Sequence, residues 1–424
     1  MTTRFRKLAI DDRRTAIAHE HGLAGDEAFG TEGDLIELAD VLVESAVGYI
    51  AVPVGIVTGL LVDGVVVDVP LATEEPSVVA AASYAGSLIG RSGGFTTSAG
   101  RTITTGQVFI DGATDDALDA LHAAGDRLAA VAARPLERMS ARGGGWRGCS
   151  ATWLETSRLV KFEFDVDTRD AMGANVVNTT AETLRDELER VTGGTVLMAI
   201  LTNDAPHRVT SATFAVPADS LARAGRSGRE VAERVVRASQ AAFDDPGRAV
   251  THNKGIMNGI AALALATGND TRALEAAVHR FAANDGVYRG VSRYTIDGDT
   301  LTGRIELPIV LGTVGGAATF HPATRAALRV LGSPDASRLA SIAAAIGLAQ
   351  NFAALFALVS EGIQAGHMGL HANRVAWQAG ARGAERRRVV ESMRASSDFS
   401  AAFAARAIER LRSGPAPPGR SDDA

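Results

Sequence analysis

The order of extended and helical segments between residues 103 and 203 constrains the fold of this chain more than any other feature. The hydrophobic pattern predicts strand, helix, strand, strand, helix and strand over Ile103 to Ile110, Asp115 to Ala133, Cys149 to Glu155, Leu159 to Val166, Gly173 to Val191 and Thr195 to Leu201. In the second half, Phe162, Phe164 and Val166 alternate with charged residues, which indicates a sheet with one buried and one solvated face. This βαββαβ order is typical of a ferredoxin-like domain.

We therefore expect an α/β (α+β) fold in which the ferredoxin-like domain is inserted into a larger, helix-rich domain. The predicted division is 1–102 for the first part of the large domain, 103–203 for the small domain, 204–365 for the second part, and 366–424 for a basic C-terminal segment with a disordered tail. The first part should contain helices near Asp12 to His21 and Gly33 to Ser45, a hairpin turning at Asp63-Gly64, and a helix with Pro76 at its first position.

Charge and cysteine content exclude several classes of function. The formal net charge is -6 and the isoelectric point is near 5.9, so nothing in the overall charge favours binding to nucleic acid or to an anionic membrane. The single cysteine, Cys149, cannot form an internal disulfide or a thiolate metal cluster. The amino-terminal residues contain no apolar core of a secretory signal. We expect a cytoplasmic protein without nucleic-acid or membrane partners.

A long apolar stretch from Leu339 to Ser360 has the length of a membrane span and no charge between Arg338 and Glu361. Gln350-Asn351 lies at its centre, and neither end carries the aromatic residues that are enriched at membrane interfaces. The pattern favours a helix buried inside the protein.

Lys254 is one of three lysines in a chain with 40 arginines. It lies in the polar segment Thr251 to Gly259, immediately before an apolar run, which places it at the edge of a core. A lysine ammonium can polarise a carbonyl group or pass on a proton, whereas a permanently charged guanidinium does so poorly. The alternative is a lysine that forms a salt bridge or extends its chain along the surface.

Two acidic segments accompany it. Glu74-Glu75 precedes the helix near Pro76, where the carboxylates either act as acid and base or are simply favoured by the helix dipole. Asp270 lies between Thr267-Gly268-Asn269 and a helical pattern, and its position is that of a helix N-cap.

Two further segments offer an imidazole and a phosphate cradle. His367 and His371 have the spacing of metal ligands on a helix, but the segment has no HExxH glutamate and no third ligand, so we expect no metal. A histidine beside glycines also suits a gated proton donor. The turn from Arg169 to Asn175 joins a strand to a helix, and the amides at that helix start can receive a phosphate.

Taken together, these segments resemble hydroxymethylglutaryl-CoA reductase, in particular the bacterial class II form. The resemblance covers residues 40 to 385 and rests on Glu44 to Tyr49, Ala72 to Ser77, Gly93 to Thr97, Asp170 to Asn175, Thr251 to Gly259, Thr267 to Asp270, Gly315-Gly316 and Gly366 to Met368. The family has a C-terminal helical flap that closes over the site, and its active site is built across a homodimer interface. The resemblance thus implies at least a dimer.

The resemblance also implies roles for individual residues. Glu75 would be the catalytic glutamate, Lys254 the catalytic lysine and His367 the proton donor, with Asp270 coupled to both Glu75 and Lys254. The hydroxymethylglutaryl group would be held by Ser77, Arg248 and Asn258. The dinucleotide would be held by Asp170, Met172, Gly173 and Asn175. Arg134 would suit the 2'-phosphate of NADPH, although NADH remains possible.

The implied activity is reduction of HMG-CoA to mevalonate and CoA by two hydride transfers. Ser45 stands where the family has an asparagine, so one contact with substrate or CoA differs. The first alternative is a catabolic enzyme that oxidises mevalonate with NAD. The alternatives of another class are a CoA-thioester hydrolase, which needs no dinucleotide, and a non-catalytic CoA-binding protein, which needs no Lys254.

Overall fold

The structure is a computed structural model that describes residues 10–23, 35–47, 49–362 and 372–413, together with Phe5 and Leu8. The helices are α1 (Ile10–Glu20), α2 (Leu35–Leu42), α3 (Val78–Gly90), α4 (Ala117–Ala123), α5 (Gly125–Ser140), α6 (Ala174–Thr183), α7 (Arg185–Thr192), α8 (Gly228–Asp244), α9 (Pro246–Ala266), α10 (Thr271–Ala282), α11 (Ala317–Phe320), α12 (Pro322–Val330), α13 (Ala336–Val359), α14 (Gly383–Ser396) and α15 (Ala401–Ser413).

Within the described residues, the strands form three antiparallel sheets. They are β1 (Val54–Val62), β2 (Val65–Ala72), β3 (Thr96–Ser98), β4 (Ile103–Asp111), β5 (Gly145–Leu154), β6 (Leu159–Asp167), β7 (Thr195–Leu201), β8 (Val209–Pro217), β9 (Ser292–Asp297) and β10 (Thr300–Pro308). The sheets are the hairpin β1–β2, the sheet β3-β8-β10-β9 and the sheet β5-β6-β4-β7. The predicted hairpin turn at Asp63-Gly64 is confirmed.

Residues between β4 and β7 have the predicted ferredoxin-like topology. The chain runs β4-α4-α5-β5-β6-α6-α7-β7, and the spatial order β5-β6-β4-β7 places the first strand between the third and fourth. The alternation along β6 buries Phe162, Phe164 and Val166, and these side chains contribute to a hydrophobic core separate from that of the rest of the chain.

Two helices of this region differ from the predicted bounds. The segment expected to be one helix to Ala133 is two helices, and the second continues through Pro135 to Ser140. Leu128, Ala132, Leu136 and Met139 recur on its buried face, so packing outweighs the cost of an internal proline. The next predicted helix is likewise divided into α6 and α7, with buried Leu184 at the junction.

The larger core surrounds helix α13. Helix α13 packs against α3 and α9, and it also packs against the sheet β3-β8-β10-β9. It is long and apolar enough to cross a membrane, yet 83% of its most apolar window is buried inside the protein. The prediction of a buried helix is confirmed. Asn351, at its centre, is buried and accepts hydrogen bonds from the hydroxyls of Ser292 and Tyr294, both at 2.8 Å.

The first position of helix α3 was predicted wrongly. Pro76 lies in the preceding turn, and the helix begins at Val78. Ser77 has a φ of 84°, in the left-handed region, so the backbone cannot enter a right-handed helix before the next residue. At the other end of the chain, residues 372–378 and helices α14 and α15 pack around Val389, Met393 and Ala404 in a core of their own.

Candidate active site

Glu75 and Lys254 approach each other at the surface of the large core. Glu75 lies in the turn between β2 and α3, and Lys254 lies near the middle of α9, which packs against β2. The ammonium Nζ of Lys254 is 3.4 Å from Oε2 of Glu75. The two side chains are 60% and 41% exposed, so their pairing contributes only about 0–1 kcal/mol to stability. Both charges are therefore accessible to a ligand.

Local contacts fix the turn that carries Glu75. The amide of Thr73 donates to the carbonyl of Pro53 at 2.9 Å, and the hydroxyl of Thr73 accepts from the amide of Glu75 at 3.2 Å. Two residues later, the left-handed backbone of Ser77 redirects the chain into α3. A non-glycine residue in this region stores about 1–3 kcal/mol of strain. The turn thus presents Glu75 and Ser77 together at the start of α3.

Helix α9 supplies three of the predicted site residues. The carboxylate of Asp245 caps the helix by accepting from the amides of Gly247 and Arg248, and Pro246 occupies the first position. Arg248 lies in the first turn. Lys254 and Asn258 lie four residues apart, on one face of the helix. This face borders the turn of Glu75.

A buried polar network sets the rotation of α9 about its axis. Nε2 of His252 lies 2.6 Å from the hydroxyl of Ser292 and 3.2 Å from the amide nitrogen of Asn351. The side chain of Asn253 donates to the carbonyl of Arg289 at 2.8 Å and accepts from the amide of Val291 at 3.0 Å. These contacts hold the buried face of α9, so the opposite face, with Lys254, points toward Glu75.

Burial lowers the pKa of His252 to about 4, and the positive charges of Arg248 and Arg293 act in the same direction. The side chain is only 1% exposed. Its imidazole is therefore neutral near pH 7 and serves as part of the core.

Asp270 is the N-cap of helix α10, as its sequence position predicts. Its Oδ1 accepts hydrogen bonds from the amides of Arg272 at 2.9 Å and Ala273 at 3.2 Å, and its Oδ2 lies 3.1 Å from the guanidinium of Arg272. Among the described residues of this single chain, no ion pair joins Asp270 to Lys254 or Glu75. The structure brings the lysine and the glutamate together but leaves the aspartate with its own helix.

The loop from Asp170 to Gly173 is fastened to the large core. Oδ1 of Asp170 accepts from the amide of Ala336 at 3.0 Å, at the start of α13, and the carbonyl of Asp170 accepts from the amide of Thr313 at 2.8 Å. The Asp170 carboxylate is therefore a support of the loop, with one oxygen already engaged. Met172 and Ala174 line a small open crevice at the junction of the two cores.

Gly173 and Asn175 suit the start of a phosphate-binding helix. Gly173 precedes α6 with a φ of 100°, and a Cβ there would lie 2.4 Å from Cγ2 of Thr168. Glycine is therefore required at this position by the left-handed backbone and by the close packing against Thr168. Asn175 is exposed in the first turn, and Arg134 is exposed on α5. The free amides and dipole of α6 fit the pyrophosphate of a dinucleotide.

His367 and His371 lie outside the described residues, as does the segment 363–371 that contains them. The prediction of a proton donor at His367 stays a prediction.

Glu20, His21 and Asp68 place three possible metal-ligand atoms within 4.8 Å of one another. Nε2 of His21 lies 3.2 Å from Oδ2 of Asp68, and Oδ1 of Asp68 accepts from the amide of Gly59 at 2.8 Å. The contact between His21 and Asp68 joins the end of α1 to the hairpin, and the bond from Gly59 lies within the hairpin, so the three residues have a structural role.

The sequence pattern did not indicate two residues that lie at the junction of the two cores. Arg208 is buried against the loop of Met172, and a Cβ on Gly312 would lie 2.6 Å from the amide nitrogen of Met172. Gly312 precedes Gly315-Gly316, so that glycine-rich run was a usable signal. Arg208 is one of 40 arginines, and nothing in its sequence neighbours distinguishes it.

Comparisons with known proteins identify one family. The family model described as hydroxymethylglutaryl-coenzyme A reductase matches residues 9–372. A 3-hydroxy-3-methylglutaryl-coenzyme A reductase of Archaeoglobus fulgidus is 40% identical over 96% of this chain and 94% of its own length. A probable reductase of the same name from Borreliella burgdorferi is 36% identical over 79% of this chain and 77% of its own length.

Solved structures agree with the sequence comparisons. The 3-hydroxy-3-methylglutaryl-coenzyme A reductase of Streptococcus pneumoniae superposes with a TM-score of 0.81 at 40% identity, covering 96% of this chain and 99% of that chain. A second structure of the Streptococcus pneumoniae enzyme, described as class II and bound to NADPH in open conformations, has a TM-score of 0.80 at 40% identity and covers 84% of this chain and 99% of that chain.

Proposed function

Because the chain belongs to the hydroxymethylglutaryl-coenzyme A reductase family, we propose that it reduces HMG-CoA to mevalonate and CoA with NADPH. The family membership makes it an NAD(P)H-dependent oxidoreductase. The observation that carries the specific proposal is the contact between Lys254 and Glu75, an accessible ammonium and an accessible carboxylate 3.4 Å apart.

Lys254 is the electrophile of the proposed mechanism. Reduction of a thioester carbonyl to an alcohol places negative charge on the acyl oxygen twice, and a nearby ammonium stabilises that charge each time. Glu75, whose carboxylate is 3.4 Å from that ammonium, is proposed to exchange a proton with the same oxygen as the hemithioacetal and the aldehyde interconvert. NADPH supplies the hydride in both steps.

Asp270 and His367 complete the proposed catalytic set. Asp270 stabilises the charge of Lys254 and is coupled to Glu75, in an arrangement that involves the partner subunit of a homodimer. His367 protonates the departing CoA thiolate, and the C-terminal helices close over the site as a flap that also excludes water. The amphipathic α14 and α15 and their own small core suit such a separate unit.

Ser77, Arg248 and Asn258 are the proposed contacts of the hydroxymethylglutaryl group. Their support is position: Ser77 shares the turn of Glu75, Asn258 lies one turn after Lys254, and Arg248 begins the same helix. We propose that residues 103–203 hold the dinucleotide through Asp170, Met172, Gly173 and Asn175. For these residues the support is the helix start next to the crevice at the domain junction.

The preference for NADPH over NADH rests on two observations. Arg134 is exposed on α5, which packs against the dinucleotide helix α6, and the Streptococcus pneumoniae relative is described as bound to NADPH. A guanidinium there favours the 2'-phosphate of NADPH. We therefore propose the reductive direction, and mevalonate oxidation with NAD is the alternative. We propose a cytoplasmic site for the reaction.

The decisive experiment measures NADPH oxidation with purified full-length protein and HMG-CoA. We expect oxidation that depends on HMG-CoA, two NADPH consumed for each CoA released, and a higher kcat/KM for NADPH than for NADH. CoA release without NADPH would identify a thioester hydrolase. A protein that binds HMG-CoA but neither releases CoA nor consumes NADPH would be a binding protein. A clear preference for NAD and mevalonate would establish the catabolic alternative.

A further inference from the structure

Arg208 is the only fully buried arginine among the residues that the structure describes, with 4% of its surface exposed. It ends the short 3₁₀ turn Pro206–Arg208, where the chain leaves the small domain and enters β8. Burying a guanidinium is costly unless its donors find acceptors, and five donors must be satisfied. The positions of those acceptors show which segments of the chain Arg208 connects.

The guanidinium connects the first strand of the small domain with the dinucleotide loop. Nε donates to the carbonyl of Ile103 at 3.1 Å, and Nη2 lies 2.9 Å from the hydroxyl of Thr104, both at the start of β4. Nη2 also lies 2.7 Å from the hydroxyl of Thr168 and 3.3 Å from the carbonyl of Met172. Arg208 thus contacts Thr168, two residues before the loop, and Met172 within it.

The two threonines that accept hydrogen bonds from Arg208 themselves donate hydrogen bonds to the loop backbone. The hydroxyl of Thr168 donates to the carbonyl of Ala171 at 2.8 Å, and the hydroxyl of Thr104 donates to the carbonyl of Met172 at 3.0 Å. One side chain therefore orients the carbonyls of two consecutive loop residues. This fixes the peptide immediately before Gly173, whose left-handed backbone starts α6.

The hydrogen bonds of Arg208 all go to uncharged oxygens. Burial lowers its pKa to about 10, and the negative charge of Asp167 opposes that shift, so the side chain is positively charged at pH 7. Arg208 also lines the crevice that Met172 and Ala174 border. This buried positive charge acts together with the dipole of α6 beside the crevice, whose lining also includes the carboxylate of Asp204.

We propose that Arg208 is a positioning residue for the dinucleotide, acting from the large domain on the loop of the small domain. The inference rests on the proposed function, because it assumes that the loop from Asp170 to Asn175 binds NADPH. It adds that NADPH affinity is set by a residue that belongs to neither the loop nor its domain.

The test compares NADPH and HMG-CoA binding in the full-length protein. Arg208→Met keeps the length and apolar part of the side chain but removes the donors and the charge. We expect the Kd for NADPH to rise at least about tenfold, which corresponds to 1.4 kcal/mol, while the Kd for HMG-CoA changes less than about twofold. Arg208→Lys retains the charge without the planar fork, so its NADPH affinity should lie between those of wild type and Arg208→Met.

The matched control is Arg226→Met. Arg226 is half-buried and donates to the carbonyl of Ser360 at 3.0 Å, at the far end of α13 from Ala336. Helix α13 has 24 residues, so this end lies about 36 Å from the loop. Arg226→Met should leave the affinities for both ligands within about twofold of wild type.

Thr168→Val provides a second route if Arg208→Met does not fold. It leaves the arginine in place and removes the hydroxyl between the guanidinium and the carbonyl of Ala171. NADPH affinity should fall while HMG-CoA affinity is retained. Unchanged NADPH affinity in Arg208→Met, or in Thr168→Val where that is the variant that folds, overturns the inference. Failure of the wild-type protein to bind NADPH would instead refute the proposed function.

Discussion

The ammonium of Lys254 and the carboxylate of Glu75 lie 3.4 Å apart, although 179 residues separate them in the sequence. The contact is exposed, and neither side chain is required to fill the core. A pair of this kind contributes little to folding, so its chemistry can be tested without large effects on stability.

Lys254→Ala should abolish most of the reductase activity and leave the fold intact. Loss of one group that stabilises an oxyanion lowers kcat by roughly 10²–10³-fold. The melting temperature should stay close to that of wild type. Lys161→Ala is the control, because Lys161 also forms a partly exposed ion pair, 2.7 Å from Glu163 on the sheet of the small domain. An active Lys254→Ala enzyme would remove the lysine from the mechanism.

Substitutions of Asp270 should distinguish its role as the N-cap of α10 from the role of its negative charge. Asp270→Asn keeps an acceptor for the amides of α10, whereas Asp270→Ala loses it at a cost of about 1 kcal/mol. If the charge supports Lys254, both variants lose activity but only the alanine variant loses stability, measured as the urea midpoint. Asp335→Asn, at the cap of α13, is the control. Normal activity in Asp270→Asn would leave Asp270 with a structural role alone.

Stability should depend on pH through His252. Its pKa is lowered to about 4 in the fold, so as the pH falls the unfolded chain takes up a proton first. The contribution of neutral His252 to the free energy of unfolding is complete above about pH 6.5, the ordinary pKa of histidine, and is lost as the pH falls toward 4. The total loss is about 3 kcal/mol.

Urea unfolding at several pH values checks this. His252→Gln should flatten the dependence between pH 6.5 and 4, whereas His279→Gln, at a half-buried histidine 2.6 Å from the hydroxyl of Tyr288, should retain it. An equally steep dependence in His252→Gln would show that another group is responsible.

Gly312→Ala should impair dinucleotide binding from outside the loop. The new Cβ would lie 2.6 Å from the amide nitrogen of Met172 and 3.1 Å from the carbonyl oxygen of Asp170. Because both are backbone atoms, the clash cannot be relieved by a change of side-chain rotamer. We expect weaker NADPH binding in fluorescence titrations and a lower melting temperature. Gly125→Ala, in open space on helix α5, is the control and should be neutral or stabilising. Wild-type NADPH affinity in Gly312→Ala would show that the loop tolerates displacement.

Elements with a local pattern were predictable. The alternation along β6, the turn at Asp63-Gly64 and the cap at Asp270 depend on neighbouring residues, and the structure agrees with each of them. The bounds of α3 and α5 were not predictable, because a left-handed Ser77 delays the first helix and the packing of Leu136 and Met139 extends the second past Pro135.

The sequence by itself determined which side chains are available: a rare lysine, an acidic turn and a glycine-containing loop before a helix. Their chemistry is a property of residue type and immediate context, which the chain carries before it folds. Only the tertiary structure decided which of them meet. It brought Lys254 to Glu75, left Asp270 capping its own helix, and placed the buried Arg208 and Gly312 against the loop of Met172. Such contacts depend on how α9 packs against β2 and how the two cores join, and no local pattern encodes them.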